Sequence, residues 1–388
     1  MAMTTHSASM DDSGGKYDIF ENVTQAVVEK TMAEDMHFVM SAIVGPIICC
    51  FGMIGNILSI ITWCRPGMCS STGRYLTGQA VADLAVLLMF LLCDSALYWN
   101  AELKYSLSYG IFFSYIGYPL FFLSIVLSIW ITVGVTIDRY IMVCWITKSK
   151  QLCSLTRANI GLALITVNAF LINLPHFATF TVVYPDSTDH NHNSSTTPAM
   201  RTQTFKMTEF GAGSGGQFYE FWIHCIILIL IPWVSVLTLN IMIINKISKS
   251  NKRMANKKTR ESMKKSKESE NQITRLLLVV TFSFLFFIGL QCIIQCFAMQ
   301  KPIWADMQMV SASFAIGKTG IIFNSSLNFV FYCLTGKRFR VELIKMLGFA
   351  KGELLLTSSR DYSISGSGSA TAKISTTSST STGSTTDI

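Results

Sequence analysis

The chain has 388 residues, 50% of them hydrophobic and only 14% charged, with 26 Phe and 19 Met. Soluble domains carry about 25% charged residues, so the composition excludes an ordinary soluble enzyme or binding module and indicates a membrane protein. The net charge of +8 does not imply nucleic acid as a partner, because Lys and Arg cluster in short segments between apolar runs, as on the inner face of a membrane.

Residues 1–36 are polar, with Asp11, Asp12, Asp18, Glu21, Glu29, Glu34 and Asp35. No basic start with an apolar core follows Met1, so no cleavable signal peptide is expected. Asn22-Val23-Thr24 is a glycosylation sequon, which predicts an extracellular tail. Seven apolar runs then lie within residues 36–64, 75–93, 105–137, 158–185, 221–245, 276–300 and 307–336. Each supplies the roughly 20 residues a helix needs to cross a hydrocarbon core. In lipid the backbone must satisfy its own hydrogen bonds, so the runs are predicted to be helices.

Orientation follows from Lys and Arg in the connections. The first, third and fifth connections hold Arg65 and Arg74; Lys148, Lys150 and Arg157; and eleven more between Lys246 and Arg275. The second, fourth and sixth hold only Lys104; Arg201 and Lys206; and Lys301. The N-terminus is therefore expected outside and the C-terminus in the cytoplasm. Asn193 then heads a second external sequon. A third, at Asn324, falls inside a spanning run and is not expected to be used. Residues 37–348 form the expected membrane domain. It ends in an amphipathic segment with Phe339, Leu343, Met346 and Leu347 on one face, suited to lying on the membrane surface. Residues 349–388 are rich in Ser, Thr and Gly, and a disordered cytoplasmic tail is expected.

Most of the eleven Cys lie inside apolar runs, where buried free thiols are common and inert. No disulfide framework and no metal site is read from them, Cys292 and Cys296 included. No nucleophile with a base, paired soluble acids or phosphate-binding loop is present, so the chain is not read as an enzyme.

The third run, free of Asp, Glu, Lys and Arg, ends abruptly in Asp138-Arg139-Tyr140. Together with Gly55-Asn56, Ala82-Asp83-Leu84, Pro232, Asn324-Ser325-Ser326-Leu327-Asn328-Phe329-Val330-Phe331-Tyr332 and the Gly-Lys-Arg-Phe that follows, this set resembles rhodopsin-like G-protein-coupled receptors. The Asn-Ser-Ser-x-Asn-Phe form looks most like invertebrate receptors for FMRFamide-like neuropeptides. The resemblance implies an all-α seven-transmembrane helix bundle in the plasma membrane, binding an extracellular ligand and a heterotrimeric G protein. It departs from the family pattern in several places. Phe329 stands where Pro is usual, and Phe284–Gly289 lacks the usual proline. Ser114 occupies the position of a Cys that would tie the third helix to the second outer loop. That loop, 176–216, has no Cys and is expected to be long and flexible.

The resemblance also implies roles. Asp138, Arg139 and Tyr140 would form the switch that meets the G protein, with Glu268 or Glu270 holding Arg139 across the bundle and Asn328 and Tyr332 completing it. Asp83 is an acid alone in apolar sequence, costly unless paired. Ser128, three turns from Arg139, and Asn324, Ser325 and Asn328 would surround it, together with either a sodium ion as an allosteric ligand or a water cluster with no ion. Asp94 lies eleven residues beyond Asp83, and Lys318 ten before Asn328, so the two should meet at the ligand pocket, where a cationic ligand group would suit Asp94 and an anionic one Lys318. Phe121, Glu220, His224, Gln291 and Gln295 are further pocket candidates. Phe121 and Ile322 stand where amine receptors and opsins carry Asp and Lys, which argues against both. The basic loop suits anionic lipid, the Ser/Thr tail suits receptor kinases and arrestin, and Thr386-Asp387-Ile388 matches a PDZ ligand. The leading reading is a neuropeptide receptor. Its rivals are an orphan receptor for a small molecule and a receptor-like membrane protein that does not signal.

Overall fold

The computed structural model describes residues 34–184, 202–255, 278–294 and 307–348. Glu268, Glu270, Gln295, Asn22 and Asn193 lie outside them. Among the described residues, five helices are long and apolar enough to cross a membrane: α1 (Glu34–Trp63), α2 (Ser71–Trp99), α3 (Leu107–Cys144), α4 (Leu155–Ala178) and α5 (Ser214–Ser250). The apolar helix α6 (Leu278–Ile294) and the 29-residue α7 (Met307–Thr335) follow. Helix α8 (Lys337–Met346) carries its buried Phe339 and Leu343 on one face. Leu347 lies beyond its end, exposed, and is not part of that face.

Helix α3 is the hub, packing against α2, α4 and α5, while α7 packs on α1 and α2. The core draws Cys49, Val86, Phe90, Ile129, Val133, Ile229 and Ile322 from these helices, and α6 joins it through Phe284, Leu285, Ile288 and Cys292. The outward faces are apolar too: Ile47, Phe51, Ile54 and Ile61 on α1, and Ile160, Leu164, Val167 and Leu171 on α4, are all exposed. Lipid rather than water suits such faces. Since lipid tails are as apolar as these side chains, close packing must hold the helices together. At the α1–α7 contact, a Cβ at Gly55 would stand 2.8 Å from the Phe329 Cβ. Glycine there lets Phe329 approach, and next to it Asn56 Nδ2 donates to the Ser325 carbonyl at 3.0 Å. Trp63, Tyr332 and Phe339 form an aromatic triangle with centroids 5.3–5.4 Å apart, joining α1, α7 and α8.

Among the described residues, four spanning helices contain π-helical turns: Val39–Val44 in α1, Leu91–Ser95 in α2, Phe113–Gly117 in α3 and Tyr219–Leu230 in α5. Wider turns of this kind often mark functional sites. Here they carry Asp94, Ser114, Glu220 and His224.

The fourth apolar run does not continue as helix to residue 185. It ends in a 3-10 turn at Leu174–Ala178, with Pro175 in its first turn. Strand β1 (Phe180–Val182) follows and pairs antiparallel with β2 (Phe205–Met207). The described parts of the second outer loop are therefore folded, and the expectation of a flexible lid is corrected there. Ser114, at the position a cysteine would need, is fully buried with no hydrogen-bond partner. Beside it Phe113 meets Phe205 at 4.5 Å and Phe180 at 5.3 Å. Thr204 donates its amide to the Lys104 carbonyl at 3.0 Å, and its hydroxyl reaches the Lys104 and Ser106 carbonyls at 3.1 and 3.0 Å. Aromatic packing and one threonine thus pin the hairpin where a disulfide would. Phe113→Ala is expected to lower unfolding free energy by about 3 kcal/mol, read as a lower melting temperature of the purified chain. A reducing agent is expected to leave that temperature unchanged, since the cysteines of the described residues are free.

Candidate functional site

The candidate residues fall into three layers along the bundle. At the end of α3, Asp138 is buried and its carboxylate accepts from Ser71 Oγ at 2.8 Å and Thr72 Oγ1 at 2.5 Å. Both hydroxyls come from the buried first turn of α2, which Ser70 caps: its Oγ accepts from the Gly73 amide at 3.0 Å. Arg139 donates to Thr72 as well, so Thr72 bridges the acid and the base. Nothing in the sequence singled out Ser71 or Thr72. Cys153, at the end of the short helix Ile146–Leu152 that follows α3, donates to the Asp138 carbonyl at 3.6 Å. Burial and the Asp138 charge push its thiol up to about 12. Arg139 opens on a cleft of about 110 Å³ also lined by Leu76, Lys337, Arg338 and Phe339. On its other side it approaches Asn240 and Thr281. Asn240 Nδ2 donates to Thr281 Oγ1 at 2.8 Å, tying α5 to α6. Higher up, Trp233 Nε1 donates to the Leu285 carbonyl at 2.7 Å. Tyr140 packs against Trp145, with centroids 6.4 Å apart. Tyr332 is buried, its hydroxyl without a hydrogen-bond partner.

The middle layer is built on Asp83, which is fully buried. Its Oδ1 accepts from Ser128 Oγ at 2.7 Å and its Oδ2 from Asn328 Nδ2 at 2.7 Å. Four helical residues before it, Gln79 was not anticipated from the sequence. Its Nε2 donates to Ser128 Oγ at 2.7 Å and lies 3.3 and 3.4 Å from the two Asp83 oxygens, while Thr132 donates to its Oε1 at 3.2 Å. A buried charge needs such hydrogen bonds. The donor set fits a hard cation in kind. Asp83 supplies a carboxylate, Ser128 and Ser325 supply hydroxyls, and Asn324 Oδ1 is buried with no partner. These residues would hold sodium, whose charge would offset that of Asp83. Gln79 makes part of the same interaction from within the chain. Gln79→Leu is therefore expected to enlarge the melting-temperature gain from sodium over an organic cation by roughly 2–4 °C, or ~1 kcal/mol. An equal gain in both chains would show that Gln79 does not compete with the ion.

The third layer is a cavity of about 290 Å³ at the opposite end from Arg139. Phe121, Glu220, His224, Gln291 and Lys318 line it, with Tyr118, Phe122 and Tyr219. Lys318 Nζ meets Asp94 Oδ1 at 2.6 Å, so the spacing of eleven and ten residues does place the two charges together. Asp94 itself is not among the lining residues. The site also includes His176, which sequence reasoning assigned to a loop. It is fully buried at the end of α4, with Nδ1 3.5 Å from Glu220.

Residues 55–332 match the family described as 7 transmembrane receptor (rhodopsin family). Among curated proteins, the chain is 27% identical to the FMRFamide receptor of Drosophila melanogaster over 83% of its own length and 56% of that protein's. The chain thus spans little more than half of that relative. It is 22% identical to the Drosophila sex peptide receptor, over 82% of the chain and 74% of that protein. It is 24% identical to the probable G-protein coupled receptor frpr-1 of Caenorhabditis elegans, over 84% and 82%.

Proposed function

The chain belongs to the rhodopsin family of seven-transmembrane receptors, and from that premise we propose that it is a neuropeptide receptor of the plasma membrane. On this reading an extracellular peptide enters the cavity bounded by Phe121, Glu220 and Lys318, and Arg139 at the opposite end engages a heterotrimeric G protein. As a member of this family it is a multi-pass membrane receptor and not an enzyme.

The observation that carries the reading is a pair of openings at opposite ends of the bundle with a buried polar network between them. A cavity with aromatic and charged walls lies at one end, and a cleft beside Arg139 at the other. Between them Asp83 joins α2, α3 and α7 through Ser128 and Asn328. A ligand that favours one arrangement of these helices shifts a pre-existing equilibrium in the Arg139 cleft. The peptide class is supported by the FMRFamide and sex peptide receptors among the relatives. The orientation is supported by the loop charges, which put the cavity outside. Residues 1–36 then form an external tail glycosylated at Asn22, with Asn193 external too, and 349–388 a cytoplasmic tail for kinases and arrestin.

The test is G-protein activation in cells expressing the chain, challenged with a library of amidated neuropeptides. A potent response to one family of peptides is expected. Basal activity with no peptide response would favour a small-molecule ligand. Surface expression with neither would favour the non-signalling alternative.

A further inference from the structure

Two charged side chains line the outer cavity among the described residues, Glu220 and Lys318. Their circumstances differ. Lys318 already has its counter-charge in Asp94 at 2.6 Å. Glu220 faces two imidazoles, His176 Nδ1 at 3.5 Å and His224 Nδ1 at 3.8 Å. All four ring nitrogens are buried, and none has a hydrogen-bond partner. Buried polar groups in native proteins are normally satisfied by protein, water or ligand, so this set has the capacity to take a polar ligand group.

The surroundings narrow its chemistry. Phe122 stacks on His176 with centroids 4.3 Å apart, and Tyr118 and Tyr219 stand edge-on to the same ring at 5.6 and 5.1 Å. A carboxylate in a cavity lined by Tyr118, Phe121, Phe122 and Tyr219 is complementary to a planar, weakly hydrated cation that presents several donors and tolerates ring faces. A guanidinium meets each requirement and pairs with a carboxylate bidentately. An ammonium is more strongly hydrated and must shed that water to enter. Among the described residues no acid, histidine and thiol cluster has the arrangement to hold a metal ion.

We propose that Glu220 is the subsite for an arginine side chain of the ligand. This rests on the peptide-receptor reading and deepens it. It also moves the cation-binding role away from Asp94, which Lys318 occupies.

The experiment uses the purified full chain in lipid nanodiscs, without G protein, and reads binding as thermal stabilisation. The probes are Phe-Met-Arg-Phe-amide, the same peptide with citrulline for arginine, and arginine amide alone. Citrulline keeps the shape and loses the charge. The wild-type chain is expected to prefer the arginine peptide by at least ~30-fold, the scale of truncating one partner of a desolvated charge pair. In Glu220→Gln the preference falls to roughly 3-fold or less, while in Asp94→Asn it persists. The proposal is overturned by a preference that survives in Glu220→Gln, by one lost in Asp94→Asn, or by a wild-type chain that neither peptide nor millimolar arginine amide stabilises. Nucleotide exchange measured in parallel separates the two readings. Arginine-selective binding without exchange sinks the signalling role and leaves the subsite standing.

Discussion

Arg139→Ala, at matched surface density, is expected to lose ligand-driven nucleotide exchange by roughly 100-fold or more, the scale of removing an arginine from a desolvated charged contact, while peptide affinity without G protein changes little. The cavity and Arg139 lie at opposite ends of the bundle, so the variant leaves the ligand's contacts in place. Arg139→Lys is expected to recover only part of the activity, because an ammonium lacks the planar fork of a guanidinium. The local network also gives a change of opposite sign. Thr72 donates to Asp138 at 2.5 Å and accepts from Arg139, which anchors both to α2. Thr72→Val keeps the shape and removes the anchor, so basal exchange should rise by roughly 3- to 10-fold, the worth of one charge-assisted hydrogen bond. Thr72→Ser should behave as the wild type. If Thr72→Val signals less than wild type, Thr72 serves the active arrangement and not the resting one.

What could be read in the sequence and what could not divide along physical lines. Apolar runs with almost no charge marked the spanning helices, because the bilayer imposes length and composition on each segment separately. The acids and bases inside those runs were legible for the same reason: each is costly and therefore conspicuous. Asp83, Asp94 and Lys318 could be paired by counting turns, and the 2.6 Å contact between the last two follows from that counting. Small polar residues carry no such cost signal. Gln79, Ser71 and Thr72 are unremarkable in sequence, and only the packing of α2 on α3 gives them their roles. His176 was assigned to a loop because nothing before Pro175 or after it announces that α4 ends in a 3-10 turn that buries this side chain. Phe113 and Phe205 are far apart in the chain, and no local pattern says that they replace a disulfide. The lost cysteine was visible, but the aromatic contact that substitutes for it was not.

Reversing one member of the Asp94–Lys318 pair should be far more damaging than neutralising it, and reversing both should restore the fold. The side chains are 22% and 26% exposed, and Asp94 Oδ2 is buried without a hydrogen-bond partner. This is neither a solvated surface pair nor a fully buried one. Breaking a buried pair costs about 3–5 kcal/mol, and the partial exposure here brings that to roughly 2–3 kcal/mol for Asp94→Asn. Asp94→Lys adds repulsion between two ammonium groups on adjacent helices, so little folded receptor should reach the cell surface. The doubly reversed Asp94→Lys, Lys318→Asp chain regains opposite charges across the same gap, and its melting temperature should return to within ~1 kcal/mol of wild type. Peptide potency in that chain then separates structure from recognition. If the pair only joins α2 to α7, potency recovers with folding. If the ligand touches Lys318 in the cavity wall, folding recovers and potency does not, because the cation now sits on α2 and a carboxylate faces the ligand. The preference for arginine over citrulline should persist in either case, since Glu220 stands on α5, outside the exchanged pair.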